Sequence, residues 1–301
     1  MAATFATGPA RLVRRARARP ARLRPAPGPL AGGALLLASC LSIQAGAALA
    51  TTTFSTVAPA GAAGLRFALA AAVVALVVRP RVSGWSAARW RAVAVFGLAA
   101  AVNELCLYLA LDRLPLGMAV TIEFLGPLGL AIVATRGPRH LAAALLALGG
   151  VALLSGTTLA SDPLGVALAF TAAAGWAAYI LASSRIGGFD RPLDSLAVSL
   201  VIAAAVTSPL TVSAAGSVGS GTVLLTLTAV AVLGTALPYG LELAALRRLT
   251  AAAAGILFSI EPAIAAIVGF VALGQGLGTA QAAGIVAVTV AGALALRDAP
   301  D

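Results

Sequence analysis

Apolar runs of about 17 to 22 residues, the length a helix needs to cross a bilayer, recur along the whole chain. They lie near 31–51, 60–79, 92–111, 117–135, 140–157, 163–183, 194–212, 222–245, 250–273 and 279–296. The intervals between them hold turn-forming punctuation: Arg79-Pro80-Arg81, Arg136-Gly137-Pro138, Ser161-Asp162-Pro163 and Gly188-Phe189-Asp190-Arg191-Pro192. The pattern predicts an all-α integral membrane protein with ten transmembrane helices. It excludes a β-barrel, whose strands alternate apolar and polar positions over roughly 10 residues.

An internal echo organises these spans. Leu111 to Val133, LDRLPLGMAVTIEFLGPLGLAIV, returns 135 positions later as Leu246 to Val268, LRRLTAAAAGILFSIEPAIAAIV. In so alanine-rich a chain many matches are uninformative, so the weight rests on Arg113/Arg248, Leu114/Leu249 and Pro127/Pro262. Each copy carries a carboxylate inside the apolar run, Glu123 or Glu261. Five spans per half is odd, so the second half runs upside down relative to the first. Such an inverted repeat puts a site near the midplane between the halves. The expected domains are a tail over 1–29, a first five-helix repeat over 30–158, a second over 159–297 and a tail over 298–301.

Composition agrees with this class. Sixty per cent of residues are hydrophobic and ten per cent charged, and the mean hydropathy is +1.02, beyond what a soluble domain needs. The 32 glycines and abundant alanines suit helices that pack through small residues, since lipid supplies no hydrophobic force between them. The net charge of +10 is topological rather than a nucleic-acid signal. All 20 basic residues are arginine, and Arg11, Arg14, Arg15, Arg17, Arg19, Arg22 and Arg24 precede the first run. That segment reads as a disordered cytoplasmic tail orienting the first helix, with organellar targeting or lipid-headgroup binding as alternatives. With the N-terminus inside, the inner segments hold 18 arginines and the outer ones only Arg113, so both termini are expected in the cytoplasm. Cys40 and Cys106 lie in apolar runs and read as core residues. His140 is the single histidine; no zinc set and no nucleophile triad is present, so neither metal nor enzyme chemistry is expected.

Leaving aside the end residues of the runs, five charged residues fall within them: Arg66, Glu104, Glu123, Glu242 and Glu261. Each costs on the order of 2.5–3.5 kcal/mol at a helix centre if it faces lipid unpaired, so each should face an interior, find a partner or be neutral. Burial disfavours a charged carboxyl, and an isolated Glu here can therefore load and release a proton. Arg66, in GLRFALA, stays charged. It pairs with a Glu to lock two helices, or snorkels outward from near a helix end, or binds a substrate carboxylate. Spacing of three places Tyr239 and Glu242 on one helical face, and Trp176 and Tyr179 on another; Trp176 reads as a cavity wall or an interfacial aromatic. Trp85 and Trp90 flank an Arg-rich inner loop as expected anchors. Gln44 and Asn103 either line a cavity or bond a neighbouring helix. Pro127, Pro262 and Pro238 are helix breaks, the first two matched between the halves, which fits hinges, ion-coordinating turns or packing kinks.

Ten spans in two inverted halves resemble the drug/metabolite transporter superfamily in its EamA-type branch. The likeness covers nearly everything after residue 30. Its carriers are SIQAGAALA (42–50), GLRFALA (64–70), LPLGMAVTIEFLGPLGLA (114–131), GWAAYIL (175–181), ALPYGLELAAL (236–246) and SIEPAIAAIVGFVALGQ (259–275), which are similar to the branch's amino-acid exporters. The resemblance implies efflux of small neutral amino acids of the threonine and homoserine kind from the plasma (inner) membrane. It implies the proton gradient as energy source, alternating access, and no bound cofactor. Partners would be the small-molecule substrate and the lipid bilayer, with no nucleic acid, in a monomer or homodimer. A cavity lined by the first, third, fourth, sixth, eighth and ninth spans would hold Glu123, Trp176, Tyr179, Tyr239, Glu242 and Glu261, with Gln44 from the first span. Two positions depart from the pattern: Gln275 stands where an acid is common, and Glu104 where an aromatic is expected. The substrate is alternatively another small metabolite, an aromatic amino acid or a cationic drug. A non-transporting sensor or subunit is the reading from a different class, and the repeated half-sites argue against it.

Overall fold

The computed structural model describes residues 29–134, 138–158, 162–186, 189–246, 248–249, 254 and 257–296. The expectations for the arginine-rich tail and for the C-terminal tail lie outside the described residues. Every regular element among the described residues is helical. In chain order these are α1 (Pro29–Thr51), α2 (Pro59–Val78), α3 (Ala87–Leu111), α4 (Leu116–Glu123), α5 (Leu125–Ala134), α6 (Pro138–Thr158), α7 (Pro163–Ile186), α8 (Pro192–Ala214), α9 (Gly221–Ala231), α10 (Leu237–Leu246), α11 (Glu261–Leu273) and α12 (Thr279–Leu296). A π-helical turn, Val232–Ala236, joins α9 to α10.

The sequence explains the boundaries. Helices α1, α2, α6, α7 and α8 all begin on proline, whose missing N–H is no loss in a first turn and whose ring pre-sets the helical φ. Five stretches, Leu30–Thr51, Pro59–Val78, Ala87–Leu111, Pro163–Ser183 and Pro192–Val218, are long and apolar enough to cross a membrane. Shorter apolar helices occupy the other expected positions: Leu116–Leu130, Leu141–Leu153, Gly221–Ala236, Glu261–Leu273 and Thr279–Ala295. One boundary needs correction. The third run, expected from 92, starts at Ala87, so Arg89, Trp90 and Arg91 are helical rather than loop. Ser86 Oγ caps the turn by accepting from Arg89 N at 3.3 Å. The Arg89 guanidinium then lies 3.9 Å over the Trp85 ring and donates to Ser195 Oγ at 3.0 Å. An arginine so engaged no longer marks a loop.

Helix packing joins the first part of the chain to the second. α3 lies on α7, α2 on α8, α6 on α12 and α4 on α11, while α1 packs on the π-helical turn and α10. Two of these contacts match in detail. A Cβ placed on Gly32 would lie 2.9 Å from Arg248 Cβ and 2.9 Å from Leu249 Cγ. On Gly165 it would lie 3.0 Å from Arg113 Cβ and 3.0 Å from Leu114 Cγ. The residues approached are the repeat-matched pairs Arg113/Arg248 and Leu114/Leu249.

Close approach through small residues is tightest where α5 crosses α7. A Cβ on Gly126 would fall 2.1 Å from the Ala173 carbonyl oxygen, whereas one on Gly129 meets nothing within 4 Å. Backbone cannot yield as a side chain does, so Gly126→Ala is expected to lose about 1–3 kcal/mol through overpacking. Gly129→Ala should be neutral or gain up to roughly 1 kcal/mol of helix propensity. Thermal melting of the two purified variants side by side checks this; equal midpoints would refute the crossing.

Candidate functional site

The polar interior starts from Pro238. Its nitrogen has no hydrogen to give to the preceding turn, and the backbone there widens so that Leu237 N–H reaches back to Val232 O. The freed carbonyls are served by side chains of other helices. Ser42 Oγ on α1 donates to Leu233 O at 2.7 Å, and Arg66 Nη2 on α2 donates to Gly234 O at 2.9 Å. Glycine eases that approach: a Cβ at 234 would sit 3.1 Å from Arg66 Cζ, so the guanidinium would have to give by a few tenths of an ångström. Arg66 Nε also donates to Thr235 Oγ1 at 3.2 Å, and Nη1 to Tyr108 OH at 3.2 Å. Nη1 completes an ion pair with Glu104 of α3. Arg66 is thus buried and paired. The pair with Glu104 ties two helices together, and the side chain does not snorkel.

The other carboxylates are held differently. Asn103 Nδ2 donates to Glu123 Oε1 at 2.6 Å and to Ala172 O at 2.9 Å, joining α3, α4 and α7. α4 ends at Glu123 itself, whose carbonyl is the one that Pro127, four residues on, cannot serve. Gln44 Nε2 of α1 donates to Glu261 Oε1 at 3.0 Å. Glu261 opens α11 with Pro262 behind it, after a turn at Ser259 and Ile260. Gln44 Oε1 and Glu261 Oε2 are buried and accept no hydrogen bond among the described residues. Ser39 Oγ donates to Glu242 Oε1 at 3.0 Å, with Pro238 O 3.4 Å away.

These groups form one electrostatic line. Glu123 lies in range of Arg66, Glu104 and Glu261, and Glu261 in range of Glu242. Arg66 is the one cation among the described residues whose charge bears on it. Four carboxylates with one guanidinium, in a low-dielectric interior, call for further positive charge.

The predicted aromatics separate. Trp176 meets Phe124 edge-on at 6.3 Å, while Tyr179 packs at a tilt against Phe96 at 4.5 Å, so one turn of helix sends them into different clusters. Tyr239 belongs to α10, but its side chain lies outside the described residues. Gln275, where an acid is common, accepts from Leu116 N at 2.9 Å and caps the start of α4. Sequence reasoning missed Ser39, Ser42, Tyr108 and Thr235. Pro238 signals that carbonyls are freed; nothing local says which distant hydroxyl or guanidinium serves them. A cavity of ≈ 410 Å³ between α5 and α7, lined by Gly126, Gly129, Phe170, Ala173 and Ala177 among other apolar residues, carries none of the polar groups. Among the described residues no cluster of His, Cys, Asp or Glu is placed to hold a metal.

Comparison with known proteins completes the picture. The EamA-like transporter family matches residues 163–297. The threonine/homoserine exporter RhtA of Salmonella typhimurium (strain LT2) is 35% identical over 273 residues, 88% of this chain and 92% of its own length. That of Escherichia coli (strain K12) is 35% identical over 261 residues, 85% of this chain and 88% of its own. A solved crystal structure superposes with a TM-score of 0.60 at 23% identity, covering 88% of this chain and 96% of that one, a likeness of fold. The chain belongs to the EamA-like transporter family, as a multi-pass membrane transporter and not an enzyme.

Proposed function

We propose that the protein exports small neutral amino acids of the threonine and homoserine kind across the plasma (inner) membrane, by proton antiport and alternating access. The line Arg66, Glu104, Glu123, Glu261 and Glu242 carries this reading. Interior carboxylates short of positive charge suit the exchange of a proton for a substrate ammonium group. The helix break beside Glu123 offers backbone N–H groups for a carboxylate. The names of the 35% identical relatives favour the same substrate class.

Ten spans in two inverted five-helix halves, with both termini in the cytoplasm, form the scaffold of this reading. Three observations support it. Packing of α3 on α7 is answered by packing of α1 on the span built from α9 and α10. The Gly32 and Gly165 contacts repeat each other across matched residues. The family match falls on 163–297, the second half alone, as expected if each half is one unit.

Reconstituted in liposomes, the protein should accumulate labelled threonine or homoserine only while a pH gradient is present, and collapse of the gradient should end the accumulation. Flux indifferent to the gradient would remove the antiport. Transport of cationic dyes in place of amino acids would move the substrate class.

A further inference from the structure

We infer that Glu261 and Gln44 together form the seat of the coupling proton, apart from the groups that meet the substrate. The inference rests on the antiport reading and deepens it. The four acids are not equivalent. Glu104 is neutralised by Arg66, and its side chain keeps 18% exposure. Glu123 is tied to Asn103. Glu242 is bonded to Ser39 and only partly buried. Glu261 and Gln44 are 4% and 2% exposed, and each keeps one oxygen that touches neither solvent nor a donor among the described residues. An amino acid cannot bring its ammonium group there without parting α1 from α11. A proton needs no such room.

The chemistry of the two heads fits a proton closely. An amide has a donor end and an acceptor end on one planar group, and a carboxyl acquires the same pair of ends when protonated. Gln44 Nε2–H already reaches Glu261 Oε1 at 3.0 Å. A proton on Glu261 Oε2 can donate to Gln44 Oε1 and close a two-bond acid–amide ring. One proton thereby satisfies both unpaired oxygens, each of which otherwise carries the full penalty of a buried unmade bond. Loss of the proton reopens the ring. Because Gln44 stands on α1 and Glu261 on α11, the proton strengthens or weakens a contact between the two parts of the chain, which is how a coupling ion biases a conformational equilibrium. Among the described residues, the titratable groups within electrostatic reach of Glu261 are Glu242 of α10, Glu123 of α4 and Cys40 of α1.

The test uses the full chain in liposomes, with two transport assays and one spectroscopic one. Glu261→Gln replaces the acid by an amide that can still form two bonds with Gln44, mimicking the protonated state. Gradient-driven threonine accumulation should fall about tenfold or more, within the usual range of a coupling between two sites, and the threonine counterflow that remains at equal pH on both sides should no longer vary with that pH. Gln44→Leu should lower driven accumulation in the same way. The infrared C=O band of protonated carboxyl groups in the purified protein should lose a component in Glu261→Gln and shift it in Gln44→Leu. Driven accumulation that survives in Glu261→Gln, or residual counterflow that keeps the pH profile of the unaltered protein, overturns the inference, as does a band that neither variant changes. Absence of threonine counterflow in the unaltered protein refutes the amino-acid reading instead, and the infrared comparison still decides the proton's seat.

Discussion

Arg66→Met is expected to leave little folded protein in the membrane, a larger effect than any other single substitution in the interior. Arg66 is 7% exposed and serves Glu104, Tyr108, Gly234 O and Thr235 from one side chain. Its removal strands the Glu104 carboxylate, and breaking a buried pair from one side costs about 3–5 kcal/mol. It also orphans Gly234 O, whose usual donor Pro238 cannot supply, for roughly 1–3 kcal/mol more. Together these rival the whole stability of an ordinary fold, about 5–15 kcal/mol. The double variant Arg66→Met with Glu104→Met removes both charges and should recover much of the loss, since buried pairs replaced by apolar groups are often neutral. Yield of monodisperse, detergent-extracted protein and its melting midpoint measure both. If Arg66→Met instead folds as well as the unaltered protein and only its KM for threonine rises, the guanidinium is a substrate ligand and the structural role is refuted.

What could be read from the chain and what could not divide along a physical line. The positions of the apolar helices follow from the apolar runs, and the breaks at Pro127, Pro238 and Pro262 follow from a missing donor. Both are local properties. The start of α3 at Ala87 escaped because Arg89 and Arg91 resemble loop residues until Trp85 and Ser195 are placed beside Arg89. Partnerships escaped for a related reason. Arg66, Glu104, Glu123 and Glu261 are visible as expensive groups, but a sequence does not say that Arg66 goes to Glu104, Asn103 to Glu123 or Gln44 to Glu261 across 217 positions. Tyr108 shows the extreme case: inside LCLYLAL it reads as one more apolar residue, yet its hydroxyl accepts from Arg66. The repeat helped only where both copies kept the same residue, and the interior acids are offset between the copies.

Locking either of the two matched glycine contacts is expected to stop transport reversibly. With Cys40 and Cys106, both free, first replaced by alanine, the pair Gly165→Cys and Arg113→Cys staples α7 to the turn after α3. The pair Gly32→Cys and Arg248→Cys staples α1 to the turn after α10. A Cβ on Gly165 lies 3.0 Å from Arg113 Cβ, and one on Gly32 lies 2.9 Å from Arg248 Cβ. Disulfides prefer a Cβ separation of about 3.8 Å, so each closes once the helices ease apart by about 1 Å. Loss of Arg113 removes only its half-exposed pair with Asp162, worth about 0–1 kcal/mol. In an inverted repeat these two contacts lie at opposite faces of the membrane, and alternating access requires each to open in turn. Oxidation of either pair should therefore cut threonine flux about tenfold or more, and a reductant should restore it, because a carrier held shut on one side completes no cycle. Undiminished flux through an oxidised pair would mean that these helices never part. Arrest by one pair alone would mean that the two halves do not play equivalent roles, and the two-fold mechanism would fail even if the twofold fold were real.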